Sequence, residues 1–414
     1  MATSKALTVP HLAGWAMRKG IQVLGTGDFT HPQWRRELRE NLVRDDHNGL
    51  YCLKSQPQAD GETMHLTRQP YFCLQTEISC IYKRHGKTRK VHNLVFMPDL
   101  EAAERFSKRL EQIGNLASDG RPILGLDSRN LLEIALESSS DAVFIPAHIW
   151  TPWFALFGSK SGFNDIRDCY GDLTDHIFAL ETGLSSDPPM NRLLSCLDNY
   201  ALISNSDAHS GINLGREANL FEGAPSWDGM FGALKSAAKR ENSQDAACRF
   251  LGTLEFYPEE GKYHLDGHRA CGIVMDPRIA REAGDRCPVC GKPLTIGVLH
   301  RVLDLADRNE APALPNEPEA AMLVPLHEVV GEILASGPAT KKVERKCEEI
   351  ITCLGPELDV LCQIPEDEVR AYWEPLGEAV SRIRARAIFL EPGFDGQYGK
   401  ISIFGPGELG QAKA

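Results

Sequence analysis

Apolar strand-like segments alternate with amphipathic helix-like segments from residue 8 to about residue 225, and this alternation constrains the fold more than any other feature of the sequence. In the first helix, Leu12, Trp15 and Ala16 share one face, and Pro10 suits the first turn. Continuous apolar strands between helices are typical of a parallel sheet that helices cover, either open or closed into a barrel. We predict strands at residues 21–25, 71–77, 91–97, 142–147, 176–181 and 200–204, and helices at residues 10–19, 100–113, 130–138 and 190–197.

Two changes in composition divide the chain. Its 414 residues are enough for two or three domains, each with its own core. A polar stretch at residues 240–245 and a proline-rich stretch at residues 311–318 interrupt the pattern. We therefore predict one domain at residues 1–240, a Cys/His-rich module at residues 255–310 and a mainly helical region at residues 318–414, with helices at residues 339–354 and 365–389.

Two features of the sequence bear on cellular location. The chain has no uninterrupted run of about 18 apolar residues, so we expect no segment to span a membrane. Its first residues do not have the basic stretch and apolar core of a signal peptide. We therefore predict a cytoplasmic protein that has no membrane partner.

Acidic and imidazole side chains fall at the ends of the predicted strands. These residues are Asp28 and His31 after the first strand, Glu77, His148 and Glu181 at the ends of later strands, and Asp207 and His209 after the last. Each one alone is more often a helix cap or a paired polar group, and Glu181 keeps that interpretation. Because the carboxyl ends of parallel strands meet at one rim, the set together predicts a cluster of Zn²⁺, Mn²⁺ or Mg²⁺ ions. Such ions can activate a water and stabilise the oxygens of a phosphate ester.

The net charge of −12 is compatible with this interpretation. It argues against a generic binder of polyanions, because an extended basic surface drives that kind of binding. Clustered metal ligands add negative formal charge, and a bound cation reverses their local effect. The basic run at residues 83–90 is best interpreted as a solvated loop tip, although it could contact phosphates.

Three of the twelve cysteines form a pattern typical of zinc. Cys287 and Cys290 are a Cys-x-x-Cys pair, and His268 and Cys271 supply a second pair, with His264 as the alternative to His268. Four nitrogen and sulfur ligands suit one tetrahedral structural zinc ion. A redox Cys-x-x-Cys is disfavoured because no thioredoxin-like context surrounds it. The other nine cysteines are scattered, and we interpret them as buried thiols.

Several of these motifs resemble those of PHP phosphoesterases. Asp207-Ala208-His209 is similar to the last motif of that family, in which both residues bind metal. His148 resembles the penultimate histidine, Glu77 the bridging carboxylate and His92 a further ligand. Asp28 and His31 resemble the Asp/His pair after the second strand, although here two residues separate them. The strings at residues 25–32, 180–188 and 204–209 are closer to the endonuclease Q family, and that resemblance runs over nearly the whole chain.

The resemblance implies a fold and an activity. The fold would be α/β, a PHP-type distorted (β/α)7 barrel followed by a small zinc-ribbon module and a helical C-terminal region. The activity would be that of a DNA repair endonuclease, which hydrolyses the phosphodiester 5′ to deaminated bases (uracil, hypoxanthine, xanthine) or abasic sites by a metal-activated water. Asp28, Asp207 and His209 would be catalytic. The metal ligands would be Asp28, His31, Glu77, His92, His148, Asp207 and His209, and the structural zinc ligands His268, Cys271, Cys287 and Cys290.

One departure from the family pattern leaves two alternatives open. PHP proteins open with a strand that carries His-x-His, and here Met1 directly precedes the segment that follows that strand in endonuclease Q. We therefore expect an N-terminally truncated member. Without the first motif, the chain could be an inactive DNA-binding repair module. Alternatively, it could be a PHP phosphatase or exonuclease that acts on small phosphate esters or chain ends.

Candidate DNA contacts follow the strand ends. Trp150, Trp153 and Phe157 could stack on an everted nucleotide, with Lys160 on a phosphate, or they could pack in the core; both interpretations stay open. The resemblance suggests that Ser185 and Ser186 bind the edge of a flipped base. Residues 400–404 faintly resemble a peptide that binds the bacterial sliding clamp, but an ordinary strand is favoured there by the alternating pattern.

Overall fold

The computed structural model describes residues 7–55, 69–118, 120–242 and 246–411, so the segment at residues 2–5 lies outside the described residues. The chain has mixed α/β structure. The helices are α1 (Val9–Lys19), α2 (Pro32–Asn41), α3 (Leu100–Glu111), α4 (Ser128–Ser138), α5 (Ile166–Tyr170), α6 (Pro188–Asn191), α7 (Trp227–Ala238), α8 (Pro277–Glu282), α9 (Val298–Leu305), α10 (Leu326–Ile333), α11 (Lys341–Leu354), α12 (Glu366–Tyr372), α13 (Glu374–Arg384) and α14 (Glu408–Gln411). The strands are β1 (Val23–Gly25), β2 (Leu42–Arg44), β3 (Tyr51–Leu53), β4 (Tyr71–Arg84), β5 (Lys87–Met97), β6 (Ile123–Leu124), β7 (Val143–Pro146), β8 (Ala179–Glu181), β9 (Ala201–Ile203), β10 (Ala218–Gly223), β11 (Cys248–Glu255), β12 (Asp266–His268), β13 (Ile273–Met275), β14 (Glu319–Met322), β15 (Phe389–Glu391) and β16 (Lys400–Ser402). Short 3-10 helices lie at Gly171–His176, Ser195–Leu197, Gly211–Asn213, Pro258–Glu260 and Arg269–Cys271, and a π-helical turn at Asp359–Gln363.

Strands β1 to β7 form one sheet that centres on β4. The sheet runs β2-β3-β4-β5-β7, and these neighbours are antiparallel. β1 and β6 pair with β4 in parallel, at different points along its length. The prediction of a parallel sheet was therefore wrong for most of this layer. Among the strands that the structure describes, no closed ring of hydrogen-bonded strands is found, whereas the mixed α/β class is confirmed.

Two smaller sheets complete the surroundings of the site. β8 and β9 pair in parallel, as the sequence predicted for the strands that end at Glu181 and near Asp207. β10 pairs with β11 antiparallel, and β11 pairs with β14 in parallel. The strands β11 and β14 lie on either side of the Cys/His-rich module in the chain, so their pairing joins distant parts of the sequence.

Capping residues define the ends of two helices that the sequence predicted, α1 and α3. α1 begins after Thr8, whose side chain accepts a hydrogen bond from the backbone N–H of His11, and it ends at Gly20 with φ of 82°. α3 begins after Asp99, which caps it in the same way. The predicted helix at residues 365–389 is instead two helices, because Trp373 leaves the helical conformation between α12 and α13.

Three main apolar cores support these elements. The largest lies among α1 to α5 and the central sheet, and it also takes in Val298 and Val302 of α9. A second core packs α7 against β7, β9 and β11. A third lies among α10 to α13 and includes Ile403 and Phe404, which are 1% and 7% exposed. Residues 400–404 are thus part of a strand and its buried continuation, which agrees with the favoured interpretation over the clamp peptide. No helix among the described residues has the length and apolar character needed to cross a membrane.

Candidate metal centre

Glu77, His92 and His148 form the centre of the candidate site. Glu77 lies on β4 and His92 on β5, where they are diagonal neighbours because Glu77 pairs with Leu94 and His92 with Ser79. His92 Nδ1 lies 2.9 Å from Glu77 Oε1 and 3.0 Å from His148 Nε2. His148 Nε2 lies 3.2 Å from the same Glu77 oxygen. Three potential ligand atoms therefore converge on one point, as a shared cation would require.

Nearby charges and burial shift the pKa values of Glu77 and His148 in opposite directions. Burial would raise the pKa of Glu77, but hydrogen bonds from His148 and His92 and the charge of Arg121 hold that pKa well below its usual range. Burial lowers the pKa of His92 to about 4. Burial also disfavours the charged form of His148, but Glu77 outweighs this effect and raises the pKa of His148. The Glu77 carboxylate is thus ionised, and it supplies a negative charge that a bound cation would need.

Asp28, Asp207 and His209 face the same cavity, which has a volume of about 540 Å³. Arg121 connects them to the centre: its Nη2 lies 2.5 Å from Glu77 Oε2 and 3.6 Å from Asp207 Oδ1. Burial raises the pKa of Asp28 to about 6. The sequence-predicted Glu77, His148 and Asp207 are therefore brought together at one cavity.

His31 is placed differently from Asp28. It is the residue directly before α2, and its backbone N–H donates to the carbonyl of Asp28 at 3.0 Å. Of this sequence-predicted pair, Asp28 lines the cavity and His31 does not. The geometry thus favours Asp28 as the ligand of the pair.

Two residues that the sequence did not single out hold the centre in place. Asn205 Nδ2 donates to Glu181 Oε1 at 2.8 Å, and the backbone N–H of His148 donates to Glu181 Oε2 at 2.7 Å. Gly183 lies so close to His148 that a Cβ there would be 2.5 Å from the histidine Cβ. Glu181 therefore positions His148, which agrees with its interpretation as a structural group, and Gly183 permits the close approach.

The aromatic loop after His148 divides into buried and exposed parts. Trp150 and Phe157 are 0% and 1% exposed and pack against each other, and Trp150 Nε1 donates to Asn191 Oδ1. The prediction that these two rings contact DNA was wrong, because they belong to the core. Trp153 is 44% exposed and Lys160 is also at the surface.

The two predicted base-binding serines also differ. Ser186 is fully buried, and its hydroxyl donates to the carbonyl of Thr182 at 2.9 Å while it accepts from Asn191. It cannot face a base in this arrangement, so its predicted role was wrong. Ser185 is partly exposed.

The four predicted zinc ligands are close together. Suitable atoms of His268, Cys271, Cys287 and Cys290 all lie within 4.8 Å of one another, and Cys290 Sγ is 3.6 Å from His268 Nδ1. The alternative ligand His264 is buried elsewhere and is outside this group. The tight turn from Cys287 to Gly291, closed by a 2.8 Å backbone hydrogen bond, brings the Cys-x-x-Cys pair to one side.

One family model and two uncharacterized proteins are similar to this chain. A family model described as the MJ0043 C-terminal domain matches residues 325–387. The chain is 33% identical over 278 residues to the uncharacterized protein MJ0043 of Methanocaldococcus jannaschii, a match that covers 66% of this chain and 34% of that protein. It is 30% identical over 409 residues to the uncharacterized protein YqxK of Bacillus subtilis, covering 96% of this chain and 93% of that protein.

Two solved structures are similar to this chain over nearly its whole length. The lesion-specific endonuclease PfuEndoQ from Pyrococcus furiosus is similar with a TM-score of 0.81 and 30% identity, over 99% of this chain and 93% of that one. The chain belongs to the endonuclease Q family. A second structure, endonuclease Q in complex with a 27-mer duplex substrate with an abasic lesion at the active site, is similar with a TM-score of 0.78 and 30% identity, over 99% of this chain and 94% of that one.

Sequence reasoning missed Arg121 and Phe154, which both contact the candidate centre. Arg121 is the guanidinium that contacts both Glu77 and Asp207. The ring of Phe154 lies 4.8 Å from that of His92, centroid to centroid. Neither had a sequence pattern that could have indicated it, because a lone arginine and one aromatic among several are common in loops.

Proposed function

We propose that this chain is a DNA repair endonuclease that hydrolyses the phosphodiester on the 5′ side of a deaminated base (uracil, hypoxanthine or xanthine) or of an abasic site. The observation that supports it is the convergence of Glu77, His92 and His148 beside Asp207 in a cavity of a chain from the endonuclease Q family. Acidic and imidazole groups in this arrangement are the donors that phosphoester hydrolysis uses to hold cations.

The donors of the site fit divalent cations of the Zn²⁺ or Mn²⁺ type. Two imidazole nitrogens and one carboxylate oxygen lie within 3.2 Å of one another, and this mixed nitrogen and oxygen donor set is of the kind that these ions accept. We propose that Glu77, His92, His148, Asp28, Asp207 and His209 hold these ions, with His31 as the weakest member of the predicted set. When bound, such ions supply a Lewis acid and lower the pKa of a water.

The residues of the chain itself would bind and orient the DNA. The guanidinium of Arg121, which contacts Glu77 and Asp207, would donate to a phosphate oxygen of the substrate. Glu181 would keep His148 in position through its backbone N–H. Exposed Trp153 would stack on a nucleotide, Lys160 would contact a phosphate and Ser185 would bind a base edge.

A structural zinc ion at His268, Cys271, Cys287 and Cys290 is the second proposed metal. Four N/S donors within 4.8 Å support it. We also propose the division into residues 1–240, 255–310 and 318–414, which the separate apolar cores favour. Helix α9 is an exception within it, since Val298 and Val302 pack in the core of the first part.

The decisive test uses a duplex labelled internally and containing one uracil. Wild-type protein with Mn²⁺ should give a single cut 5′ to the uracil and leave the undamaged duplex intact. Asp207→Asn should lower the cutting rate by about 100-fold or more, because it removes a carboxylate from the cation site. The matched control is Asp141→Asn, an exposed carboxylate distant from the cavity lining, which should cut like wild type.

The other functions predict different products. Release of nucleotides from the ends only, or of phosphate from small esters, would favour the phosphatase or exonuclease. Tight binding of the uracil duplex without any cut would indicate an inactive repair module. Normal cutting by Asp207→Asn would remove Asp207 from the site.

A further inference from the structure

Two buried glutamates lie opposite each other next to the candidate metal centre. In the antiparallel pair of β10 and β11, Ala218 faces Leu254 and Asn219 faces Thr253, so the next position along places Glu217 opposite Glu255. Side chains directly opposite in such a pair are close neighbours, and like charges there repel. Glu217 is 3% exposed and Glu255 is 0% exposed. Water therefore does not screen this repulsion.

These carboxylates have oxygens that no group of the described chain satisfies. Neither oxygen of Glu217 has a hydrogen-bond partner within the described residues, and neither does Oε1 of Glu255. Glu255 Oε2 accepts from Thr182 Oγ1 at 3.1 Å. The buried hydroxyls of Ser204 and Thr253 lie close enough to Glu255 to act on its pKa as hydrogen-bond donors, so Glu255 is partly satisfied within the chain. Glu217 has only the nearby backbone N–H of Phe256, and neither of its oxygens has a well-aligned partner. Buried polar groups are normally satisfied, so Glu217 indicates a missing partner.

No basic side chain neutralises the two carboxylates by direct contact. The charge of Arg216 acts on Glu217 from a distance, but its Nε donates to the carbonyl of Ser206 at 2.8 Å. No ion pair within 4.0 Å joins Glu217 or Glu255 to a basic side chain in the described ranges. Burial, and next the charge of Glu255, raises the pKa of Glu217 well above its usual range. Either a proton or a bound cation must therefore neutralise the pair.

We propose that Glu217 and Glu255 bind a hard divalent cation, of the Ca²⁺ or Mg²⁺ class, with the hydroxyls of Ser204 and Thr253 as further donors. All of these donors are oxygens, which hard cations prefer, whereas the Glu77–His92–His148 centre has two imidazoles and suits borderline metals. Glu217 also lines the cavity of about 540 Å³, which gives an entry path and room for waters that complete the coordination.

The cation would stabilise the sheet behind the candidate centre. Glu181 lies between the two places: its charge acts on Glu217, and its carboxylate holds the backbone N–H of His148. A cation at Glu217 and Glu255 would remove the repulsion among these three groups without entering the Glu77–His92–His148 centre. The proposal does not depend on nuclease activity, since it concerns binding and stability only.

The test counts bound Ca²⁺ on full-length, zinc-loaded protein that has been dialysed free of Ca²⁺. Equilibrium dialysis should show one more Ca²⁺ per chain on wild type than on Glu217→Gln or Glu255→Gln, both of which keep the side-chain shape. Ca²⁺ should also raise the Tm of wild type, because a ligand that binds only the folded state stabilises it. Glu319→Gln, an exposed glutamate on the neighbouring strand β14, is the matched control and should behave like wild type.

A further variant separates this site from the candidate centre. Glu77→Gln removes a ligand of that centre, so the rise in Tm with Ca²⁺ should persist in it. The proposal would be overturned if Ca²⁺ did not raise the Tm of wild type, or if it did not raise the Tm of Glu77→Gln. Both measurements use proteins in which Glu217 and Glu255 are unchanged. Equal Ca²⁺ counts for wild type and Glu217→Gln would also overturn it.

Discussion

Three residues at the candidate centre adopt a backbone conformation that non-glycine residues rarely use. Asp28, His148 and Asp207 have φ of 31°, 29° and 42°, in the left-handed region. Each such residue costs on the order of 1 kcal/mol. Glycine would avoid the cost but could not supply a ligand. Their grouping around one cavity supports a functional role, because strain of this kind persists where a side chain must point in a required direction.

The first prediction at this scale concerns Glu260. Burial, and next the charge of Glu328, raises the pKa of Glu260 to about 8 from its usual 4.5. The folded state therefore keeps a proton that the unfolded state releases, so this group makes stability fall as pH rises from about 4.5 to 8. Glu260→Gln cannot ionise, so the difference between its Tm and that of wild type should grow in favour of the variant from about pH 4.5 to 8 and stay constant above.

Thermal unfolding across this range checks the prediction. Glu282→Gln, an exposed glutamate on α8, is the control and should follow wild type at every pH. A constant difference between Glu260→Gln and wild type would mean that Glu260 ionises at its ordinary pKa in the folded protein.

At the scale of elements, the hairpin of β4 and β5 shows what sequence patterns could not reveal. The strands were predicted to end at residue 77 and begin at residue 91, but they continue to Arg84 and from Lys87 and meet at a turn. His85 and Gly86 there have φ of 51° and 72°, as a tight hairpin turn requires. The basic run at residues 83–90 was interpreted as a loop because it has no alternating apolar pattern. The end of a hairpin that extends beyond the core does not need that pattern. Glu77 is consequently in mid-strand, and its predicted position at a strand end was wrong.

Short-range motifs were easier to predict than long-range ones. The Cys287 and Cys290 pair is held by a local turn, so spacing alone indicated that the two thiols face one point. Arg121, in contrast, reaches Glu77 and Asp207 from a separate loop. Such a contact depends on the assembled fold, and no local pattern encodes it.

The second prediction belongs to the Cys/His module. Cys290→Ser should reduce zinc by one ion per chain and lower the Tm, because a structural zinc site contributes directly to folding. Mass spectrometry of purified protein for metals, together with thermal unfolding, measures both effects. Cys353→Ser, an exposed cysteine on α11, is the control. Equal zinc content in the two variants would show that Cys290 is not a ligand.

For the molecule as a whole, the sequence predicted the class and several of the helices, but it did not predict how the parts connect. β11 pairs with β14 across the intervening Cys/His module, and α9 joins the first core, where Arg301 donates to the carbonyls of Phe157 and Phe163. Composition located the changes along the chain near residues 240 and 311. It could not show these contacts, because residues distant in sequence determine them.

A buried ion pair makes one such connection and supports the last prediction. Lys19 of α1 and Glu357 are 2% and 6% exposed, and Lys19 Nζ lies 2.7 Å from Glu357 Oε2. Glu357 Oε1 also accepts from the backbone N–H of Leu326, which begins α10. The pair thus ties the first helix to the C-terminal core. Lys19→Met should lower the free energy of unfolding by about 3–5 kcal/mol, because it leaves a buried carboxylate without its cation.

Urea unfolding of a matched set tests this connection. Lys19→Met combined with Glu357→Gln should recover much of the loss, since the glutamine is neutral and can still accept from Leu326. Lys341→Met, an exposed lysine at the start of α11, should unfold like wild type. Lys19→Met is also expected to weaken the first and the third core together, in a single transition. If Lys19→Met instead gave two urea transitions and only one of them moved to lower urea, the two cores would unfold independently. The ion pair would then stabilise only a local contact.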